Sequence, residues 1–268
     1  MPTLDRKTVL ITGAAGGFGR ELTRQLLHEG SLLILSDRTQ VDLYRAAAEV
    51  AAELGGPVRG RILGFIAADL ASTEGATALA AQAQAIAPQI DVLINNAGLS
   101  YLGAFTDVPQ DRWEMIMQVN LLAPMRVTAA LLPGMIDHGS GHIVNISSCA
   151  GLIGTPNLVA YSTSKFGLRG FGEGLGNELE RHGIGVTTIY PYFARTPILD
   201  SEHFGNAPTP ELPGGRIDEP RMVIAQLIAG VKADRRHVYP GPTAKLIYQL
   251  QKPGPWALPA LLRLAGWR

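Results

Sequence analysis

The sequence predicts one α/β domain with a parallel sheet covered by helices on both faces. Short and almost continuously apolar runs alternate with longer amphipathic stretches, which is the pattern of strands buried on both sides. The 268 residues are 46% hydrophobic and 17% charged, values typical of a globular protein rather than a disordered one. No linker divides the chain, so we expect a single domain over residues 1–268.

Apolar runs bounded by turn residues predict the strands, and apolar residues at helical spacing predict the helices. The predicted strands are Thr8–Thr12, Leu32–Asp37, Arg61–Asp69, Asp91–Gly98, His142–Ser148 and Gly185–Pro191, with a candidate last strand at HVYPG, residues 237–241. The predicted helices are Phe18–His28, Val41–Leu54, Ser72–Ile86, Gln110–Ile136, Leu158–Arg181 and Asp218–Ala233. Pro124 should bend the long fourth helix, and Asp218 should cap the last one.

Two segments depart from this alternation. Residues 192–220 are rich in Pro and Gly, and so long a connection is usually a lid or a binding loop. Residues 243–268 form an apolar tail with Trp, Leu and Arg. Packing over the substrate site or against another subunit is favoured for this tail, because its prolines interrupt a sustained amphipathic helix. A weak membrane contact is the alternative.

Composition argues against several classes of protein. The chain has 23 basic and 23 acidic residues and no basic stripe, so we expect no nucleic-acid partner. A single cysteine, Cys149, and six scattered histidines predict neither an intrachain disulfide nor a metal site. The first apolar run is too short for a secretory signal, and we expect a cytoplasmic protein.

The first predicted strand ends in a glycine-rich turn, TGAAGGFGR, which opens the first helix. Such a turn lets the backbone approach a pyrophosphate at a helix N-terminus, and this context favours nucleotide binding over a ligand-free turn. Asp37 ends the second strand, where a carboxylate accepts hydrogen bonds from a ribose and repels a 2′-phosphate. NAD(H) is therefore favoured over NADP(H), although Arg38 follows directly. Asp69 is either an adenine contact or a helix cap.

A second motif is YSTSK, which places Tyr161 and Lys165 four residues apart on one face of a predicted helix. A neighbouring ammonium favours phenolate, so we expect the pKa of the tyrosine to fall from about 10 towards neutrality. The spacing alone is equally that of an ordinary surface helix. However, Ser147–Ser148 and Asn95–Gly98 end two other strands, at the sheet edge where such folds bind ligands.

Five segments, TGAAGGFG, NNAG, IVNISS, YSTSK and YPYFARTP, have the order and spacing found in the short-chain dehydrogenase/reductase family. The chain resembles that family over residues 7–198. The resemblance implies a single Rossmann-like domain with a doubly wound, seven-stranded parallel sheet. It also implies hydride transfer between a nicotinamide ring and an alcohol or carbonyl carbon.

The resemblance implies roles for four residues. Tyr161 would be the general acid in reduction and the base in oxidation. Lys165 would lower the pKa of the tyrosine and hold the nicotinamide ribose. Ser148 would hydrogen-bond the substrate oxygen, with Ser147 as the less favoured choice. Asn120 would position a water in a proton relay, a role compatible with its filling a helix kink.

The resemblance also gives the cofactor contacts. Pro191 and Thr196 would contact the nicotinamide carboxamide, and Asn95 and Gly98 would line the adenosine side. The complete predicted cofactor-binding set is Gly13, Gly17, Phe18, Gly19, Asp37, Arg38, Asp69, Leu70, Asn96, Ala97, Gly98, Tyr161, Lys165, Pro191 and Thr196. Tyr192 stands where the family usually has glycine, and its bulk should either narrow the substrate site or alter the pose of the nicotinamide.

We therefore expect an NAD(P)-dependent alcohol dehydrogenase or carbonyl reductase with a fairly apolar substrate, such as a steroid, a retinoid-like alcohol or an aryl ketone. The apolar residues that motivate this substrate class are Leu99, Tyr101, Leu102, Ile153, Tyr192, Phe193, Ile198 and Leu199. A polar substrate, such as a sugar or a hydroxyacyl thioester, is the alternative. A non-catalytic nucleotide-binding regulator is disfavoured because both residues of the Tyr–Lys pair are present. Family members are commonly homodimers or homotetramers, so we expect an oligomer.

Overall fold

The computed structural model describes residues 3–206 and 217–251, and these form one seven-stranded parallel sheet. The strands are β1 (Thr8–Thr12), β2 (Leu32–Asp37), β3 (Arg61–Ala67), β4 (Val92–Asn95), β5 (Gly141–Ile146), β6 (Ile184–Ile189) and β7 (His237–Val238). Their order across the sheet is β3-β2-β1-β4-β5-β6-β7. The predicted fold class is confirmed, including the short last strand.

Eight α-helices connect and follow these strands in the described part of the chain. They are α1 (Gly17–Glu29), α2 (Gln40–Glu53), α3 (Thr73–Ile86), α4 (Gln110–Met117), α5 (Ala123–Asp137), α6 (Val159–Leu179), α7 (Pro220–Lys232) and α8 (Gly241–Gln251). Residues on alternate sides of each strand pack against different helices. In β1, Val9 and Ile11 join a core with α1, α2 and α7, whereas Leu10 joins a core with α3, α5 and α6.

The strand order places a crevice at the carboxyl ends of β1 and β4. Strand β1 pairs with β2 on one side and with β4 on the other, so the chain reverses its direction of travel across the sheet there. In open parallel sheets, ligands bind at this switch point because the loops on either side diverge. The loops after β1, β2, β4, β5 and β6 all open at this edge.

Where a bend was predicted, the long helix has a π-helical turn over Gln118–Leu122 between α4 and α5. Pro124 has no N–H to donate to the carbonyl of Asn120 four residues earlier, and the N–H of Ala123 reaches back to Gln118 instead. By length and hydropathy, Gln110–Asp137 is the one helix in residues 3–206 and 217–251 that could cross a membrane. It packs against α3 and α6 and carries the buried Asn120, as a core helix does.

Some predicted details were wrong. Helix α7 begins at Pro220 with Glu219 at its N-cap and no side-chain cap. Asp218, the predicted cap, lies one residue earlier and forms a main-chain bridge with Ala194. The segment predicted as an apolar tail, residues 243–268, begins inside helix α8. The prolines later in that segment had argued against a helix there. Residues 207–216 of the predicted lid and residues 252–268 of the tail lie outside the described residues.

Candidate active site

A cavity of about 930 Å³ follows the carboxyl edge of the sheet, from the glycine-rich turn to helix α8. Its lining includes every predicted catalytic and cofactor-binding residue except Gly19 and Asn120. The volume lies at the upper end of the range of small-molecule sites in proteins.

The glycine-rich turn leaves no room for side chains at its critical positions. Gly13 has φ +66°, and a Cβ there would lie 2.7 Å from Ala97 Cα. A Cβ on Gly17 would lie 2.7 Å from Thr196 Cγ2. Asn96 braces the turn, since its Nδ2 donates to the carbonyls of Thr12 and Gly13, both at 2.9 Å. Helix α1 starts there without a side-chain cap, so the turn fits a pyrophosphate held by backbone N–H groups.

Gly19 corrects the predicted cofactor set. It is buried, and a Cβ on it would lie 2.1 Å from the carbonyl oxygen of Gly13. It therefore faces the inside of the turn and allows α1 to pack against the end of β1. The glycine pattern was recognised correctly, but this position serves packing and does not line the cavity.

The end of β2 places a carboxylate where a ribose would lie. The Asp37 side chain accepts from the backbone N–H of Ala15 at 2.8 Å and from that of Arg38 at 2.7 Å. Four charged residues that the sequence analysis missed also line this end of the cavity: Arg20, Asp42, Arg45 and Glu49. They form two ion pairs, Arg20 with Glu49 and Arg45 with Asp42. Asp42, Arg45 and Glu49 recur at spacings of three and four residues on α2, which is the signal that could have found three of the four.

Asp69 lines the cavity, and its alternative role as a helix cap is wrong. Its Oδ1 accepts from the backbone N–H of Ala71 at 3.0 Å, which is a local turn. The N-cap of α3 is Ser72, whose hydroxyl accepts from Gly75 N at 2.9 Å.

Asn95, which was expected to line the adenosine side of the cofactor, is instead buried beneath the sheet edge. Its side chain donates to Asn145 Oδ1 at 3.0 Å.

The end of β5 and the start of α6 bring the Tyr–Lys–Ser group together. Tyr161, Lys165 and Ser148 all line the cavity, and the Ser148 hydroxyl accepts from the backbone N–H of Ala150 at 3.1 Å. The Lys165 ammonium donates to the carbonyl of Ile146 at 2.8 Å and lies 5.6 Å from the centroid of the tyrosine ring. The hydroxyl of Ser147 donates to the carbonyl of Lys165 at 3.0 Å, so this serine fixes α6 to the strand and is not directed at a substrate.

Asn120 ties the π-helical turn to two other parts of the site. Its Oδ1 accepts from Leu99 N and its Nδ2 donates to Leu99 O, both at 2.9 Å, and Nδ2 also approaches Ser164 Oγ at 3.2 Å. The side chain is fully buried. The Asn120 side chain therefore positions the loop after β4 relative to α6. The main-chain carbonyl of Asn120 receives no hydrogen bond from residue 124, because Pro124 has no N–H.

The electrostatics of the Tyr–Lys pair differ from expectation. Burial raises the pKa of Tyr161 to about 12, although the hydrogen bond with Ser148 acts to lower it. Burial lowers the pKa of Lys165 to about 8. The expected fall in the pKa of the tyrosine is therefore wrong for the protein without a ligand, because the ammonium is directed at Ile146 O and the phenol is desolvated.

The remaining part of the cavity, which we call the substrate lobe, is mostly apolar. Its predicted members are confirmed as lining residues except Tyr101, which packs edge-on against Phe204 at 5.9 Å and lies under Arg112. The apolar lining residues are Leu99, Leu102, Met115, Val119, Ile153, Leu158, Tyr192, Phe193, Ile198, Leu199 and Ile247. Met115 and Val119 come from the long helix, which was not expected to line the site. Ile247 comes from α8, within the segment 243–268 for which packing over the substrate site was one of the two favoured alternatives.

The comparisons with known proteins show the family to which this chain is similar. The family profile described as short chain dehydrogenase matches residues 7–205. Dehydrogenase/reductase SDR family member 7B of Danio rerio is 36% identical over 73% of the chain, a stretch that spans only 63% of that relative's length. Ketoacyl reductase HetN of Nostoc is 35% identical and covers 87% of the chain and 77% of the relative. A short-chain dehydrogenase from Sphingobium yanoikuyae, solved in complex with NADPH, superimposes with a TM-score of 0.75 at 29% identity, covering 87% of this chain and 86% of that one.

Proposed function

This chain belongs to the short-chain dehydrogenase family, and from that premise we propose that it transfers hydride between a nicotinamide dinucleotide and a fairly apolar alcohol or ketone. One observation supports the proposal above all. Ser148, Tyr161 and Lys165 line the same cavity as a glycine-rich turn shaped for a pyrophosphate. The family makes the chain an oxidoreductase; the substrate class and the role of each residue are our proposal.

In the proposed reaction, the bound nicotinamide supplies or accepts the hydride. Tyr161 donates its phenolic proton to the carbonyl oxygen of a ketone, and Ser148 donates a hydrogen bond to the same oxygen as negative charge grows on it. Because the pKa of Tyr161 is raised to about 12, the phenol is protonated at neutral pH, as a proton donor in reduction must be. The Lys165 ammonium then stabilises the phenolate that remains.

We propose that Asn120 supports reprotonation of Tyr161. Its side chain is fully committed to Leu99 and Ser164, so its main-chain carbonyl is the group available to hold a water. Pro124 favours this arrangement because it cannot donate to that carbonyl. A water there would connect the buried Lys165 to the solvent.

We propose NAD(H) as the preferred cofactor. The Asp37 carboxylate lies at the ribose end of the cavity and would repel a 2′-phosphate. Two of the arginines nearby, Arg20 and Arg45, are neutralised by Glu49 and Asp42. Arg38 is exposed, and it is the residue that would favour NADP(H) if Asp37 did not dominate.

A hydroxyacyl thioester is the second candidate substrate. The similarity to a protein named ketoacyl reductase favours it, and the apolar substrate lobe would accept an acyl chain as readily as a ketone. The chemistry of Tyr161 and Ser148 would be the same in both cases. The two candidates differ in the polar carrier that a thioester must hold outside the cavity.

The test is turnover by the purified protein with NADH or NADPH, followed at the absorbance of the reduced nicotinamide, on a panel of aryl ketones, steroids and ketoacyl thioesters. We expect turnover of the apolar ketones, and a roughly 10³-fold or greater loss in Tyr161→Phe with cofactor binding retained. Tyr44→Phe is the control, since Tyr44 lies exposed on α2. Near-normal turnover in Tyr161→Phe would refute the assigned role, and wild-type inactivity on the whole panel would refute the function.

We further propose a homodimer or homotetramer in the cytoplasm. Met125 on α5 and Phe166 on α6 are 39% and 40% exposed, and apolar side chains on two long helices suit a helix-to-helix interface. Phe166→Glu should therefore lower the molecular mass measured by sedimentation, whereas an unchanged mass would argue against this face. The proposed contact of the tail with a membrane or a subunit concerns residues outside those described.

A further inference from the structure

We propose that the ring of Tyr192 and the side chain of Ile247 close one end of the substrate lobe and limit the size of the hydrocarbon group that enters there. The inference rests on the proposed function and deepens it by naming the residues that select the substrate.

Tyr192 is built into the protein as a wall. It is 6% exposed and packs in one apolar cluster with Cys149, Leu152, Ala244 and Ile247. Its ring meets Phe193 edge-on at 5.0 Å. The residues with positive φ in the described chain do not include Tyr192, so the backbone there accepts a large residue without strain.

Helix α8 holds the second half of the wall in place. Ala244 and Ile247 are three residues apart, lie on the same side of the helix and are 0% and 5% exposed. The helix is also fixed by stacked rings, since Tyr248 lies 4.0 Å from Tyr239. Leu246, next to Ile247, faces outwards and is 58% exposed. Ile247 therefore reaches the cavity from a rigid element that is packed on the tyrosine wall.

Another part of the lobe, as far as residues 3–206 and 217–251 describe it, is more polar. Ser201 and His203 line the cavity there, and His203 is exposed. The main chain at His203 pairs with Leu102, which also lines the cavity. We take the buried apolar cluster at Tyr192 and Ile247 as the closed end of the lobe and the part lined by Ser201 and His203 as the end that receives the longer group. The substrate it fits is a ketone with one compact hydrocarbon group and one extended group.

The tyrosine contributes through its ring and not through its hydroxyl. The Tyr192 hydroxyl is buried and makes no hydrogen bond within residues 3–206 and 217–251. A buried hydroxyl without a partner contributes no stability and costs its desolvation. Tyr192→Phe therefore keeps the wall, whereas Tyr192→Ala removes it.

The experiment compares kcat/KM for a series of phenyl ketones whose alkyl group grows from methyl to butyl. We expect the wild-type protein and Tyr192→Phe to prefer methyl. In Ile247→Ala and Tyr192→Ala, the butyl-to-methyl ratio should rise by roughly tenfold or more, the discrimination that a few methylene groups provide in an apolar pocket. Leu246→Ala is the matched control and should leave the ratio within about twofold. Equal ratios in Ile247→Ala and Leu246→Ala would overturn the proposal.

A binding measurement separates this inference from the proposed reaction. Calorimetric Kd values for the same ketones, with the oxidised dinucleotide present, need no turnover. If the wild-type protein binds the ketones without reducing them, the proposed reaction fails. The wall is still supported if Ile247→Ala strengthens binding of the butyl ketone relative to the methyl ketone by a similar factor. It is refuted if the ratio of the two Kd values in Ile247→Ala equals the ratio in Leu246→Ala.

Discussion

Replacing Lys165 by methionine tests the buried ammonium directly. The pKa of Lys165 is lowered from 10.5 to about 8 by burial, and each pH unit of that difference corresponds to about 1.36 kcal/mol. Between pH 8 and pH 10.5 the folded protein has released this proton while the unfolded chain still holds it. The free energy of unfolding of the wild-type protein should therefore rise by about 3 kcal/mol across that window, relative to the variant that cannot titrate.

The assay is urea unfolding of the ligand-free wild-type protein and Lys165→Met at pH 7.5 and pH 10.5. Other titrating groups are the same in both proteins, so their contributions cancel in the difference. Lys245→Met, at an exposed position on α8, is the control. The free energies of unfolding of the wild-type protein and of this variant should differ by the same amount at pH 7.5 and pH 10.5. If the free energies of unfolding of the wild-type protein and Lys165→Met differ by the same amount at the two pH values, the ammonium is not desolvated and the reasoning fails.

Three further outcomes are expected. Gly172→Ala should destabilise the fold by about 1–3 kcal/mol in urea unfolding, because its Cβ would lie 2.4 Å from Thr188 Oγ1. Gly170→Ala, which meets nothing within 4 Å on the same helix, should stabilise it by about 1 kcal/mol, and equal effects would contradict this packing. Burial lowers the pKa of His142 from 6.5 to about 4, so wild-type stability should fall by about 3 kcal/mol relative to His142→Gln as the pH drops through that window; a constant difference would count against it. Asp37→Ser should raise the ratio of kcat/KM for NADPH to that for NADH roughly tenfold or more, and an unchanged ratio would remove Asp37 as the selecting residue.

The sequence predicted the fold well because each strand is a short apolar run and the helices have apolar residues that recur at helical spacing. It failed where tertiary contacts decide. Helix α8 was missed because its stability comes from packing on Tyr239 and Tyr192, and Asp218 was assigned as a cap although it is used in a bridge with Ala194. No local pattern carries that information.

The candidate site shows the same division. Residues at strand ends, such as Asp37 and Ser148, were placed by topology alone. Gly19 and Tyr101 were wrongly placed, because which way a residue faces in a turn or loop depends on what packs behind it. The pKa of Tyr161 was wrongly expected to fall, because spacing reveals that a lysine is near but not that its ammonium is directed at Ile146.

The two main-chain bridges, Leu102 with His203 and Ala194 with Asp218, bear on how this protein can change over evolutionary time. Hydrogen bonds between backbone groups do not depend on side-chain identity. Mutations of lining residues between Ala194 and His203, such as Ile198 and Leu199, can therefore alter what the site accepts while the reacting groups on β5 and α6 keep their places. Selection can adjust substrate choice and catalytic geometry separately.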